Sequence, residues 1–206
     1  MTDHNSAASD STVLQHAVGW DAATWFNSPE AVKHEGTDLL VTAKNGSDLW
    51  RTTSYGFVHE DGHGLLVPLP AGTAVEVTFL ADFSEQFDQA GVLILVDEQN
   101  WIKTGIEFCD GAPQLGAVVT RGVSDWSTAP VPDWFGHLVT MRVSRSGDAI
   151  TVRARRGDGP WQLVRLAPLA PDAEASAGPL CCAPTRDGLV IRFTRFVTGP
   201  ADTTLH

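Results

Sequence analysis

Short apolar runs, broken by turn signals roughly every 8–15 residues, recur over residues 19–198. This rhythm constrains the fold most, because each run is long enough for a strand and too short for a helix. No stretch sustains an i, i+3, i+4, i+7 stripe, and the best helical candidate, 172–177, is a few residues that follow a proline. The spacing predicts strands over 19–26, 39–43, 48–53, 63–69, 74–81, 90–97, 101–108, 115–121, 138–145, 149–156, 161–166, 176–183 and 189–198. Nineteen glycines and twelve prolines, spread along the chain, supply the turns between them. Hairpin turns are expected at 97–100, 110–113 and 145–148, where Gly147 can take a positive φ.

Side chains alternate between faces along a strand, so parity says what each face meets. Val139, Met141 and Val143 oppose Thr140 and Arg142, and Ile150, Val152 and Ala154 oppose Thr151, Arg153 and Arg155. Leu189, Ile191, Phe193 and Val197 form another apolar side, against Arg192 and Thr194. Residues 90–96 are apolar on both faces, which marks a central strand covered on both sides. The expectation is an all-β fold of two antiparallel sheets packed face to face. One domain over 13–198 would be flanked by a disordered tail at 1–12 and a frayed tail at 199–206.

Charge bounds the partners. With 14 Lys and Arg against 25 Asp and Glu the net charge is −11, which argues against a nucleic-acid backbone or an anionic membrane. The polar start lacks the basic and apolar regions of a secretory leader. Cys109, Cys181 and Cys182 do not make a disulfide framework, and the adjacent pair reads as two small residues on opposite faces of one strand. A cytoplasmic address is expected, with no cofactor and no metal. His59-Glu60-Asp61-Gly62-His63 matches the H-E-x-x-H zinc pattern, but Asp61-Gly62 is a turn signal, whereas that chemistry needs one helical face.

Three clusters carry the remaining chemistry: 48–56 with Trp50, Arg51 and Tyr55; Asp88, Gln89 and Gly91 followed by Trp101, Lys103, Gly105 and Glu107; and 118–120 followed by Ser124-Asp125-Trp126-Ser127. In this order and spacing they resemble a bacterial and fungal family of unknown function that includes the regulation-of-enolase proteins. The resemblance spans about 19–198 and implies a concanavalin A-like lectin/glucanase jelly roll. It implies little about activity.

Trp101, Lys103, Gly105 and Glu107 share one strand face, over which Trp101 and Glu107 stand about 20 Å apart. An indole platform with an ammonium and a carboxylate suits a concave groove for a carbohydrate or polyhydroxylated ligand. Asp125 and Trp126 would join them, with Arg51, Asp88, Gln89, Trp50 and Tyr55 as a second tier. The plainer alternatives stand beside this. Trp101 covers the sheet, Lys103 and Glu107 form a solvated pair, Asp88 and Asp125 cap turns, and Trp50 is core. Glucanases of this architecture carry an E-x-D-x-E triplet on one strand, which this chain lacks. A non-catalytic binding module is therefore the first reading. The others are a glycoside-active enzyme pairing Glu107 with Asp125 or Asp88, and an interaction protein regulating a metabolic enzyme; oligomeric state stays open.

Overall fold

The computed structural model describes residues 15–205. The tail expected at 1–12 lies outside them. Strands run in chain order as β1 (His16–Ala17), β2 (Thr24–Phe26), β3 (Ala31–Glu35), β4 (Asp38–Thr42), β5 (Leu49–Arg51), β6 (Val58–Glu60), β7 (His63–Pro68) and β8 (Thr73–Ala81). They continue as β9 (Gln89–Asp97), β10 (Asn100–Cys109), β11 (Ala112–Arg121), β12 (Val123–Pro130), β13 (His137–Ser146), β14 (Ala149–Arg156), β15 (Gln162–Pro168), β16 (Ser176–Cys182) and β17 (Val190–Pro200). The only helical pieces among the described residues are 3-10 turns at Trp20–Ala22 and Pro132–Trp134. No helix there is long and apolar enough to cross a membrane.

Two large antiparallel sheets make the jelly-roll sandwich. One has the order β15-β14-β13-β8-β17-β4-β3, with β1 also on β17; the other has the order β12-β11-β10-β9-β16-β7-β2. Alternating apolar side chains from both inner faces fill the space between them, including Phe79, Phe193, Met141, Val152, Ile94, Ile106 and Cys181. Phe79 packs on Phe83 at 6.4 Å and edge-on to Phe193 at 6.3 Å. Cys181 faces this core while Cys182 faces a smaller cluster on the far side of its sheet.

Four strands went unread in the sequence: β1, β3, β6 and β12. All lie at a sheet edge or in the two-stranded β5–β6 piece, where no second apolar face imposes a period of two. The strand expected at 19–26 begins instead with the Trp20–Ala22 turn. In β17 a bulge between Phe193 and Arg195 shifts the register, so Phe196 takes the core position that parity assigned to Val197. The C-terminal segment is anchored rather than frayed through residue 205. Gly199 and Pro200 extend β17, the Asp202 N–H donates to Ser144 Oγ at 2.7 Å, and its carboxylate pairs with Arg142 (2.8 Å) and Arg153.

Candidate functional site

A third, two-stranded sheet, β5 with β6, lies over the outer face of the second sheet as a flap. Leu49 and Trp50 anchor it against Leu93, Trp101, Val118 and Leu180. Arg51 ties it down further. Its amide donates to Ser124 Oγ at 2.9 Å, its Nε to the Gly122 carbonyl at 3.1 Å, and its guanidinium pairs with Glu60. The turn at the flap tip needs left-handed backbone at Thr52 (φ 65°), Ser54 (φ 65°) and Gly56 (φ 75°). Phe87, across the opening, has φ 68°. Non-glycine residues held in this region cost about 1 kcal/mol or more each and persist where surrounding contacts over-determine them.

Between flap and sheet is a cavity of about 320 Å³. Its wall is aromatic. Trp126 meets Trp50 edge-on at 6.2 Å, Trp50 meets Tyr55 at 5.5 Å, Tyr55 stacks on Phe57 at 5.4 Å, and Phe57 meets His59 at 5.0 Å. Tyr55 (55% exposed) and Phe57 (44%) present faces to solvent, unusual for rings that could have been buried. The floor is polar: Asp48, Gln89, Lys103 and Glu107. Lys103 is 5% exposed, and its Nζ donates to Asp48 Oδ1 at 2.6 Å and Gln89 Oε1 at 2.9 Å. Burial works against the ammonium, but the Asp48 carboxylate, with Cys182 and Glu107 adding to it, outweighs this and holds its pKa above the ordinary lysine value.

Glu107 faces Gln89 and Gln114 on the neighbouring strands. Burial pushes its pKa up to about 7, the Lys103 ammonium pulling it down and the Asp48 carboxylate adding to the rise. The folded state thus holds this proton more tightly than the unfolded chain. Stability should fall as pH rises from about 4.5 to about 7 and level off above, by on the order of 1–3 kcal/mol. Urea unfolding at pH 5 to 8 reads this. Glu107→Gln should flatten that part of the profile and be more stable than the native chain at pH 8, whereas parallel profiles would show that Glu107 titrates normally.

Of the residues singled out in the sequence, Trp50, Tyr55, Gln89, Lys103, Glu107 and Trp126 surround this cavity. Four do not. Trp101 shares the strand face of Lys103, yet it is 3% exposed and packed under the flap beside Leu49 and Val118; parity places it correctly, but the flap takes its solvent away. Asp88, fully buried, accepts from the Ser84 and Glu85 amides and pairs with Arg186 at 2.8 Å. Asp125 is opposite in parity to Trp126 and turns to the sandwich edge, where it meets Arg165 at 2.9 Å. Arg51 is engaged by the flap contacts above. Neither Asp88 nor Asp125 pairs with Glu107; the carboxylate near it is Asp48.

Gly46, Asp48, Phe57, His59, Phe87, Val118, Pro184 and Thr185 complete the lining. Tyr55, Phe57 and His59 alternate with a period of two, a strand signal interrupted by Gly56. The two histidines of the H-E-x-x-H stretch belong to separate strands. His63 is buried, accepts the Lys44 N–H on Nε2 at 3.0 Å, and donates from Nδ1 to the Asn27 carbonyl at 3.0 Å. Burial holds its pKa below the ordinary value, in keeping with a neutral ring.

The family described as protein of unknown function, DUF1349, matches residues 25–201. The chain belongs to the DUF1349 family. It is 34% identical over 184 residues to Regulation of enolase protein 1 of Saccharomyces cerevisiae, covering 89% of this chain and 92% of that protein. A crystal structure of a functionally unknown protein from S. cerevisiae superposes with a TM-score of 0.83 at 31% identity, covering 90% of this chain and all of that one. More distant likenesses show the same sandwich fold in other solved structures. They include a xylan β-1,4-xylosidase from Bacillus halodurans (TM-score 0.65, 14% identity, 88% of this chain and 38% of that one). Lectin I-B4 of Griffonia simplicifolia is another (0.52, 13%, 87% and 93%). At such identities they show the fold alone, a lectin-like sandwich.

Proposed function

We propose that the cavity under the flap binds a carbohydrate or a related polyhydroxylated molecule without transforming it. One observation carries this reading: a continuous aromatic wall and a hydrogen-bonding floor line the same cavity. Ring faces take the apolar C–H side of a sugar, and the Gln89 amide, Lys103 and Glu107 take its hydroxyls. The lectin and xylosidase likenesses support the fold this needs. Cytoplasmic residence goes with the proposal, since Cys109, Cys181 and Cys182 are all buried and unpaired, and burial pushes the Cys181 thiol up to about 12.

Titration calorimetry on saccharides drawn from a glycan array tests this. Saturable binding is expected, and Tyr55→Ala should weaken it about ten-fold while leaving the melting temperature nearly unchanged, because Tyr55 is largely solvent-facing. An array on which nothing binds saturably removes the reading. A glycoside-active site is the second reading, favoured by the Glu107 carboxyl, which keeps a proton near neutrality beside Asp48. Turnover of chromogenic glycosides that disappears in Glu107→Gln would replace the first reading with the second. Regulation of a metabolic enzyme, carried by the yeast relative's name, would instead require a protein partner for the exposed flap.

A further inference from the structure

Three glycines stand side by side on the outer face of the second sheet. Gly105 of β10 is opposite both Gly91 of β9 and Gly116 of β11, and the row ends at Thr128 of β12. Directly paired residues point to the same side of a sheet, so no side chain rises along this line for three strands. A parallel row on one side holds Lys103, Val118 and Trp126, and one on the other holds Gln89, Glu107 and Gln114. The result is a side-chain-free trench with one bank of Val118 and Trp126 ending at the Lys103 ammonium, and an opposite bank of amides and a carboxyl. Its enclosed space is only about 20 Å³, room for about one water, so a ring would lie on it with one face to solvent. Trp126, Gln89, Lys103 and Glu107 line both trench and cavity, making the two continuous.

Close backbone approach keeps the trench bare. A Cβ on Gly91 would stand 1.9 Å from the Thr104 carbonyl oxygen, one on Gly105 2.1 Å from that of Ala90, and one on Gly116 2.4 Å from that of Ser127. Any side chain here would require the strands to move apart. From Gly91 to Thr128 is three inter-strand steps, about 14 Å, more than one sugar ring spans. Lys103, the one lysine or arginine among the described lining residues, is already held by Asp48 and Gln89, so a charged acidic ring would meet no free ammonium or guanidinium there.

We propose that the glycine trench is a second subsite, and that the ligand is an unbranched neutral oligosaccharide with one unit in the aromatic cavity and the next lying across β10 to β12. This rests on the carbohydrate reading above and adds chain length and charge to it. The test is calorimetry on monomer-to-tetramer series of xylose and glucose oligomers, and of any other neutral saccharide that binds on the array. Affinity should rise about ten-fold from monomer to trimer. Thr128→Trp, an exposed position at the trench end, should bring the tetramer's affinity down towards the monomer's with the fold verified by circular dichroism. Monomers and tetramers binding equally well would overturn the trench and leave the carbohydrate reading standing. So would an equal tetramer affinity in Thr128→Trp, or preferential binding of acidic oligomers. No saccharide binding at all removes both.

Discussion

Replacing Lys103 with methionine should destabilise the protein by about 3–5 kcal/mol and abolish ligand binding. The substitution keeps the unbranched side chain as far as Cε but leaves the Asp48 carboxylate, 16% exposed, without the ammonium 2.6 Å away, and strips Gln89 of its donor. Pairing it with Asp48→Asn should restore most of the stability, because the loss comes from a stranded charge rather than from missing packing. Urea denaturation of the native chain, both single variants and the double reads the coupling directly. A loss under 1 kcal/mol in the single variant would mean that water reaches Asp48 and the pair is not a buried one. Since the folded chain raises the lysine pKa, the stabilisation is fully present below the unfolded value and fades only as pH rises through the folded one. Measurements at neutral pH therefore see all of it.

Gly105→Ala should cost about 3 kcal/mol or more, large for the addition of a single methyl group. The new Cβ would sit 2.1 Å from one backbone oxygen and 2.7 Å from the Gly91 Cα, atoms that cannot move without parting β9 from β10 in the middle of the sheet. Gly147→Ala is the contrast. Its φ of 58° disfavours a side chain, yet nothing stands within 4 Å of its Cβ, so only the backbone preference is lost, about 1 kcal/mol. Thermal unfolding of the two variants should separate by several degrees. Equal shifts would show that the strands slide apart cheaply and that the glycine row is not set by close approach.

Core strands announced themselves in the sequence because the facing sheet covers one side of them: β8, β13 and β14 carry an uninterrupted apolar parity. The edges β3 and β12 did not, since Ala31–Glu35 is exposed at every residue and Val123–Pro130 at all but one. The candidate site was legible to the same extent. Parity alone put Lys103 and Glu107 on the outer face, where the structure has them. What parity leaves unsaid is what lies above a face. Trp101 is under cover and Tyr55 is in the open because of where the flap settles, and that is fixed by distant partners: the Gly122 carbonyl, the Ser124 hydroxyl and Leu180. Asp88 and Asp125 mislead for a related reason. Their guanidinium partners, Arg186 and Arg165, lie 98 and 40 residues away in the chain, a separation that no local pattern encodes.

Among the described residues the flap pairs only with itself, and no backbone ladder joins it to either large sheet. Its amides are therefore free to exchange with solvent through excursions that leave the sandwich folded, at a free energy below that of global unfolding. Four of the cavity's rings travel with it: Trp50, Tyr55, Phe57 and His59. A molecule seated against them tethers the flap to the sheet beneath, so part of its interaction energy goes into quietening those excursions, and occupancy becomes readable as slowed deuterium uptake along the flap.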